Sequence, residues 1–459
     1  DFGIYNLSFR GHDCIDVAVW GADILRACGI PVKVEYCDAY RSYAGRHFYC
    51  VALDTAGRWE GFNAEIEVPL PYQWNIGSMM NVYRFCYGAQ KDSPYFLRNK
   101  EEYLPALFAT PCIREVTAER ADVAEVCLPF PVKSSNRLAY LAAFQARGEL
   151  APVTWGVIDS VRQEVHFANT MLRRLYFPVY YEGKELRSFG SPFYVVRDTT
   201  VAEGFRVQVF QTDTLDKKDV LLTRKFSRKP KMVRLAEELV GSTFIGANRS
   251  DFSDARILYT IKTPPKPGFQ DYVLSQPVKY RYLRFKSPDE HPHANVGTVE
   301  YLTDRKYGYT NVGKPVPLTV CSPAEAADSG TGRQWVKLMD APWEKMKRRP
   351  EADGNMQTAP SAYRMVTMCL KQPQIVCRIR FAPKNADNGI HRGEEYELFY
   401  WDKGWHSCGY QIPQYEYLEF DHVPQNTLLW LRNYSSGTEE MPFIMKDGEQ
   451  VFVYPDIIP

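Results

Sequence analysis

Between residues 116 and 230, short alternating apolar runs follow one another at 125–130, 138–145, 174–181, 192–196, 205–210 and 220–225. Side chains on a strand point alternately to two faces, so runs of this length and spacing suit a small antiparallel sandwich and leave little room for helix. Aromatic residues make up 14% of the chain, 30 of them Tyr, and there are 31 Pro. Rings pack well on pleated surfaces, so this composition agrees with β-rich modules. At 459 residues the chain exceeds one hydrophobic core, and three or four domains are expected.

The first 115 residues differ. A helical spacing of Ile15, Val19, Ala22 and Leu25 predicts a helix over 15–27. Gly29 and Pro31 punctuate its end, with Gly29 at φ > 0. Strand-like runs follow at 32–37, 47–54 and 59–63, the last two joined by a turn at 55–57, and 83–108 reads as partly helical. Beyond residue 230, STFIGANRSDFSDARILYTI and VKYRYLRFKSP, then IVCRIRFAPKNADNGI, EEYELFYWDKGW and NTLLWLRNYSS, give a weak internal repeat, with Tyr282-Leu283-Arg284 matched by Trp430-Leu431-Arg432. The expected division is 1–115, 116–230, 231–304 and 305–459, the last with a long linker.

Several function classes are disfavoured. A net charge of +1 argues against nucleic acid, and the basic runs 224–231 and 345–349 read as solvated loops. No apolar stretch reaches membrane-spanning length. The eleven Cys include no C-x-x-C, so zinc-ribbon and thioredoxin readings fail. No phosphate loop or dinucleotide fingerprint occurs. In the cluster Asp289, Glu290, His291 and His293 the His-Pro-His of a polar loop lacks a supporting fourth ligand nearby, and NADNG lacks calcium-loop spacing. No metal and no cofactor are therefore expected. Residue 1 is Asp and only 13 residues precede Cys14, so the chain is expected to be a piece of something longer.

The residues that carry chemistry are Cys14, His47 and Asn63, in GHDCIDVAVWGADILRACGIPV, GRHFYCVALD and GRWEGFNAE. Cys14 stands at the start of the helical pattern, where a helix N-terminus favours a thiolate. His47 opens a strand and Asn63 closes the next. A nucleophile, a base and a group that orients the base stand in chain order, the set that acyl transfer by Cys requires. The Cys14 backbone N–H is the expected oxyanion donor, with His12 or Tyr40 as weaker side-chain candidates. Asp54 and Glu60 are less well placed alternatives to Asn63. Cys50, three residues past His47, points to the opposite strand face and reads as structural.

These motifs resemble the transglutaminase-like superfamily: the G-x-D-C opening, Leu25-Arg26 with Gly29-Ile30-Pro31, the His at a strand start, and the G-R-W-x-x-F-N run. The resemblance covers about residues 10–70. It implies a papain-like fold with Cys14 as nucleophile and His47 as base. Asn63 stands where that family usually has Asp, and Phe48 where it often has Trp. The family includes proteases, amide-cleaving enzymes, peptide N-glycanases and transglutaminases. Residues 231–304, and less clearly 365–459, resemble galactose-binding-like (discoidin-type) β-sandwiches. That resemblance implies ligand residues in the loops: Asn248, Arg249, Asp251 and Tyr259, then Asn385, Asp387, Asn388 and Trp405.

Together these readings predict a multidomain α+β chain, with an N-terminal papain/transglutaminase-like α+β domain followed by all-β sandwich domains. The expected function is a cysteine protease or amidase acting on a protein, peptide or glycopeptide. Glycan is a second partner class, with no nucleic acid and no membrane span. The alternatives are a carbohydrate-binding protein with a relic papain-like domain, and an acyltransferase. By resemblance alone, the expected location is secreted or in a bacterial cell envelope.

Overall fold

A computed structural model describes residues 13–41, 45–64, 77–266, 270–291, 295–302, 326–327, 365–384, 388–414, 417–436 and 439–458. Helix α1 (Cys14–Ala27) starts because the Asp13 carboxylate accepts the N–H groups of Ile15 and Asp16, at 3.1 and 3.2 Å. It stops at Gly29, whose φ of +79° lets the Ile30 N–H return to Leu25 O at 2.9 Å. Strands β1 (Val32–Cys37), β2 (His47–Leu53), β3 (Trp59–Phe62), β4 (Val82–Phe85) and β5 (Ile113–Glu115) then form an antiparallel sheet in the order β3-β2-β1-β4-β5. Asp54 closes the β2–β3 hairpin by accepting the N–H groups of Ala56 and Arg58 and pairing with the Arg58 guanidinium.

The two faces of this sheet are used differently. One carries α1: Cys50 Sγ donates to Ala18 O at 3.0 Å, and Ala18 and Ala22 are buried. Gly21 permits the approach, since a Cβ there would lie 2.5 Å from Ala64 Cβ. The other face carries Tyr49, Val51, Cys37 and Val82 into a core shared with the next sheet.

That second sheet holds β6 (Val123–Pro129), β7 (Leu138–Phe144), β8 (Leu150–Asp159), β9 (Glu164–Met171), β10 (Phe177–Glu182) and β11 (Glu185–Ser188), in the order β11-β10-β7-β8-β9-β6. Every residue of β7 is buried, as its LAYLAAF sequence requires of a central strand. β12 (Phe193–Arg197) and β13 (Phe205–Val209) form a separate ribbon.

Within the core between the sheets lies a charged centre. Glu35, fully buried, accepts from Arg84 Nε at 2.9 Å, from Arg120 Nε and Nη2 at 2.7 and 2.8 Å, and from Tyr49 Oη at 2.9 Å. Burial pushes its carboxyl up, but the hydrogen bonds and charges of Arg120 and Arg84 outweigh it and hold the group below its ordinary value.

Contacts divide the chain into two units. Asp1–Leu221, Glu394–Gln411 and Glu419–Pro459 form the first, which also contains a five-stranded sheet built from residues 396–452. Leu222–Gly393 and Ile412–Leu418 form the second. There α3 (Pro230–Glu237) precedes a sheet in which Gln270–Lys286 pairs along its length with Met365–Pro383, around Phe244, Leu283, Phe285, Ile379 and Phe381.

The fold class corrects the expectation of an N-terminal papain-like α+β domain. The structure is 49% strand and 11% helix, with three helices among the described residues, so the chain is largely all-β. The physical reason is visible in the first 115 residues. Only 15–27 sustains a helical apolar period. The stretch 83–108, expected to be partly helical, supplies β4, the single-turn α2 (Pro94–Leu97) and one 3₁₀ turn. Among the described residues of this region, α1 is thus the one helix longer than a single turn, laid on an antiparallel sheet. No described helix is long and apolar enough to cross a membrane.

Candidate active site

Three local structures place the catalytic candidates. Cys14 is the first residue of α1, fixed by the Asp13 cap. His47 is the first residue of β2, opposite Cys37 on β1. Asn63 follows the last residue of β3. Continuing the β2–β3 register from Cys50↔Phe62 sets Asn63 opposite Tyr49, on the same face as His47.

The structure brings His47 and Asn63 together. His47 Nε2 donates to Asn63 Oδ1 at 2.8 Å. An amide oxygen can only accept, so this bond leaves Nδ1 as the lone-pair nitrogen of a neutral ring. The ring stacks beside Tyr49, with centroids 6.2 Å apart. Cys14 lies at the same end of the sheet, its Sγ 4.0 Å from the carbonyl oxygen of Arg46, the residue before His47. Among the described residues no hydrogen bond joins Cys14 to His47. The cause is the alternation of β2: α1 packs on the Cys50 face, whereas the His47 ring lies on the Tyr49 face. Cys14, His47 and Asn63 are all partly exposed.

The cap on α1 takes the Ile15 and Asp16 N–H groups and does not use that of Cys14. The alternatives to Asn63 are committed elsewhere. Asp54 is held in its turn by Arg58, and Glu60 pairs opposite Ala52, on the other face from His47. Tyr40 forms a bridge with Met79. His12 lies outside the described residues.

The candidates in the later β modules are tied into the chain. Asn248 Nδ2 donates to Lys279 O, and the Asn248 and Arg249 N–H groups go to Asp254. Asp251 accepts from Ser253 and pairs with Arg249 at 3.5 Å. Tyr259 stacks on Tyr272 at 4.0 Å. Asn388 is buried and donates to Phe226 O and Ser227 O. Trp405 donates to Gly148 O and packs with Trp401 and Trp430. Asn385, Asp387 and His293 lie outside the described residues, and Asp289 pairs with Lys286 at 3.1 Å.

A cavity of about 420 Å³ opens near the other end of α1, lined by Arg26, Lys33, Trp59, Arg84, Arg114 and Tyr87 among others. Lys33 Nζ sits 3.8 Å over the Trp59 ring, and burial, then the Arg84 charge, push its pKa down. Sequence reasoning missed one further constellation, Cys127, Glu164 and His166, which β6 and β9 bring together. The alternation Glu164-x-His166 was its only local signal; the Cys stands 39 residues from the His. No protein-family model, no curated protein and no solved structure matches this chain.

Proposed function

We propose that the chain is a cysteine-dependent hydrolase of a peptide or glycopeptide amide, with Cys14 as nucleophile, His47 as general base and Asn63 as the group that orients His47. The observation that carries this reading is the His47 Nε2–Asn63 Oδ1 bond of 2.8 Å beside a thiol at the first position of a helix. His47 Nδ1 takes the Cys14 proton, and the sulfur attacks the substrate carbonyl. The Cys14 N–H faces the developing oxyanion, and His47 returns the proton to the leaving amine. Water then cleaves the thioester. Asn63 fixes the ring but adds no charge to stabilise the imidazolium, which leaves the helix N-terminus as the main electrostatic aid at Cys14. This reading requires the Cys14 and His47 side chains to turn toward each other around the end of β2, where Cys14 Sγ lies 4.0 Å from the Arg46 carbonyl oxygen.

The test is incubation of the protein with mixed peptides and glycopeptides, with and without a small primary amine, read by mass spectrometry. Cleavage lost in Cys14→Ala, cut about 10²- to 10⁴-fold in His47→Ala and less in Asn63→Ala is expected. An amine adduct in place of the acid would make it an acyltransferase. Cleavage unchanged in Cys14→Ala would contradict the proposal.

A further inference from the structure

The second sheet carries a group of side chains unrelated to the Cys14 site. Cys127 on the edge strand β6 is the register partner of His166 on β9. Glu164 precedes His166 by two residues, so strand alternation puts it on the same face. Neighbours Val126, Val165 and Phe167 are buried, so Cys127, Glu164 and His166 stand on the solvent side of a packed sheet. Cys127 Sγ is 3.7 Å from His166 Nε2, and Glu164 Oε1 is 3.0 Å from the same nitrogen. The sulfur, nitrogen and carboxylate oxygen all lie within 4.8 Å of one another.

From these distances we propose that Cys127, Glu164 and His166 form a site for a divalent transition metal of the zinc class. Zinc takes Cys S at about 2.3 Å and His N or carboxylate O at about 2.0–2.2 Å, so a tetrahedral ion holds its ligand atoms roughly 3.3–3.6 Å apart. The separations of 3.7 and 3.0 Å bracket that range, and rotation of exposed side chains closes the difference. A soft thiolate with an imidazole selects zinc or cobalt over calcium and magnesium, which want oxygen alone. The backbone is already in place on two paired strands, so binding orders little new chain. Arg162 also reaches Glu164, at 3.7 Å, but its side chain is 70% exposed and can turn aside. Three protein ligands leave a fourth position for water or a substrate group, the arrangement of reactive zinc sites. Binding releases the thiol proton to solvent.

The test uses Co²⁺ alone on the reduced full chain, reading the sulfur-to-cobalt charge-transfer band in the near ultraviolet, followed by displacement with Zn²⁺. One equivalent should give the band, and one of Zn²⁺ should remove it. Cys127→Ser should abolish the band. His166→Ala should weaken binding by more than the about 10–100-fold that loss of an outer-shell partner costs. Glu164→Gln should weaken it while leaving the band. All three changes are on the surface, so matched circular dichroism is expected. A band that persists in Cys127→Ser, or no band at millimolar Co²⁺, would overturn the site.

Discussion

The two ends of α1 each hold a thiol, and they are not alike. Cys14 stands at the first helical position, partly buried, beside the Asp13 cap and the Arg46 carbonyl. Cys28 is the C-terminal cap residue of the same helix and is exposed. The helix dipole favours an anion at the first end and disfavours it at the second by about 0.3–1 kcal/mol each. The difference between the ends is then roughly 0.6–2 kcal/mol, or about 3- to 30-fold in thiolate population, an upper limit for its effect on alkylation rate. Asp13 and Asp16 oppose that bias at the first end and Arg26 opposes it at the second. A catalytic thiol therefore needs more than its helix position, and under the proposed function the additional group at Cys14 is His47. The comparison separates two contributions that a lone Cys on a helix would confound.

The largest test acts on the sheet that carries His47 and on which α1 packs. Glu35→Ala leaves Arg84 and Arg120 buried without their shared carboxylate, and should cost about 3–5 kcal/mol in denaturant unfolding. The folded-state pKa of Glu35 is lowered, so its contribution is present above the unfolded value and lost as pH falls through the folded one. The variant should accordingly lose part of the acid-side fall in stability. A change below about 1 kcal/mol would mean that the network is not what holds β1 and β4 in register.

Smaller tests act on each end of α1. Gly29 has φ +79° with open space around its Cα, so Gly29→Ala carries backbone strain alone, about 1–2 kcal/mol. Asp13→Ala removes two cap bonds and should cost about 1 kcal/mol. Amide hydrogen exchange should speed up near Ile15 and Asp16 in Asp13→Ala, and near Cys28 and Ile30 in Gly29→Ala. Exchange raised equally at both ends by either change would mean that α1 opens as one unit, and that its ends cannot be compared independently.

What was legible in the sequence was local. The spacing of Ile15 to Leu25 with Gly29 and Pro31 marked α1, and the runs around Val32, His47 and Trp59 marked β1–β3. The proximity of His47 to Asn63 followed from a short hairpin. The rest depends on partners far apart in the chain. Glu35 reads as one charged residue in an apolar strand, and its partners Arg84 and Arg120 lie 49 and 85 residues away. Strands β8 and β9 carry interspersed polar residues and were not read, so the pairing of Cys127 with His166 could not be anticipated. The sequence of residues 375–390 and 394–405 reads as successive parts of one module. In the structure, Met365–Pro383 pairs with Gln270–Lys286, while Tyr396–Trp401 pairs with Trp405–Gln411 and Leu429–Asn433. Long-range strand pairing leaves no periodic trace. The helical period at 15–27 likewise suggested an α+β domain because nothing local reveals that, among the described residues of this region, α1 is joined only by the single-turn α2.

The most direct measurement is the rate of iodoacetamide alkylation of Cys14 and Cys28 at pH 6, resolved by peptide mass spectrometry, in the native chain and in His47→Ala. The proposed base role of His47 predicts that Cys14 reacts more than about 30-fold faster than Cys28, beyond what the helix dipole supplies, and that the ratio falls into the roughly 3- to 30-fold range or below when His47 is removed. A Cys14 to Cys28 ratio that is the same in both proteins would contradict it.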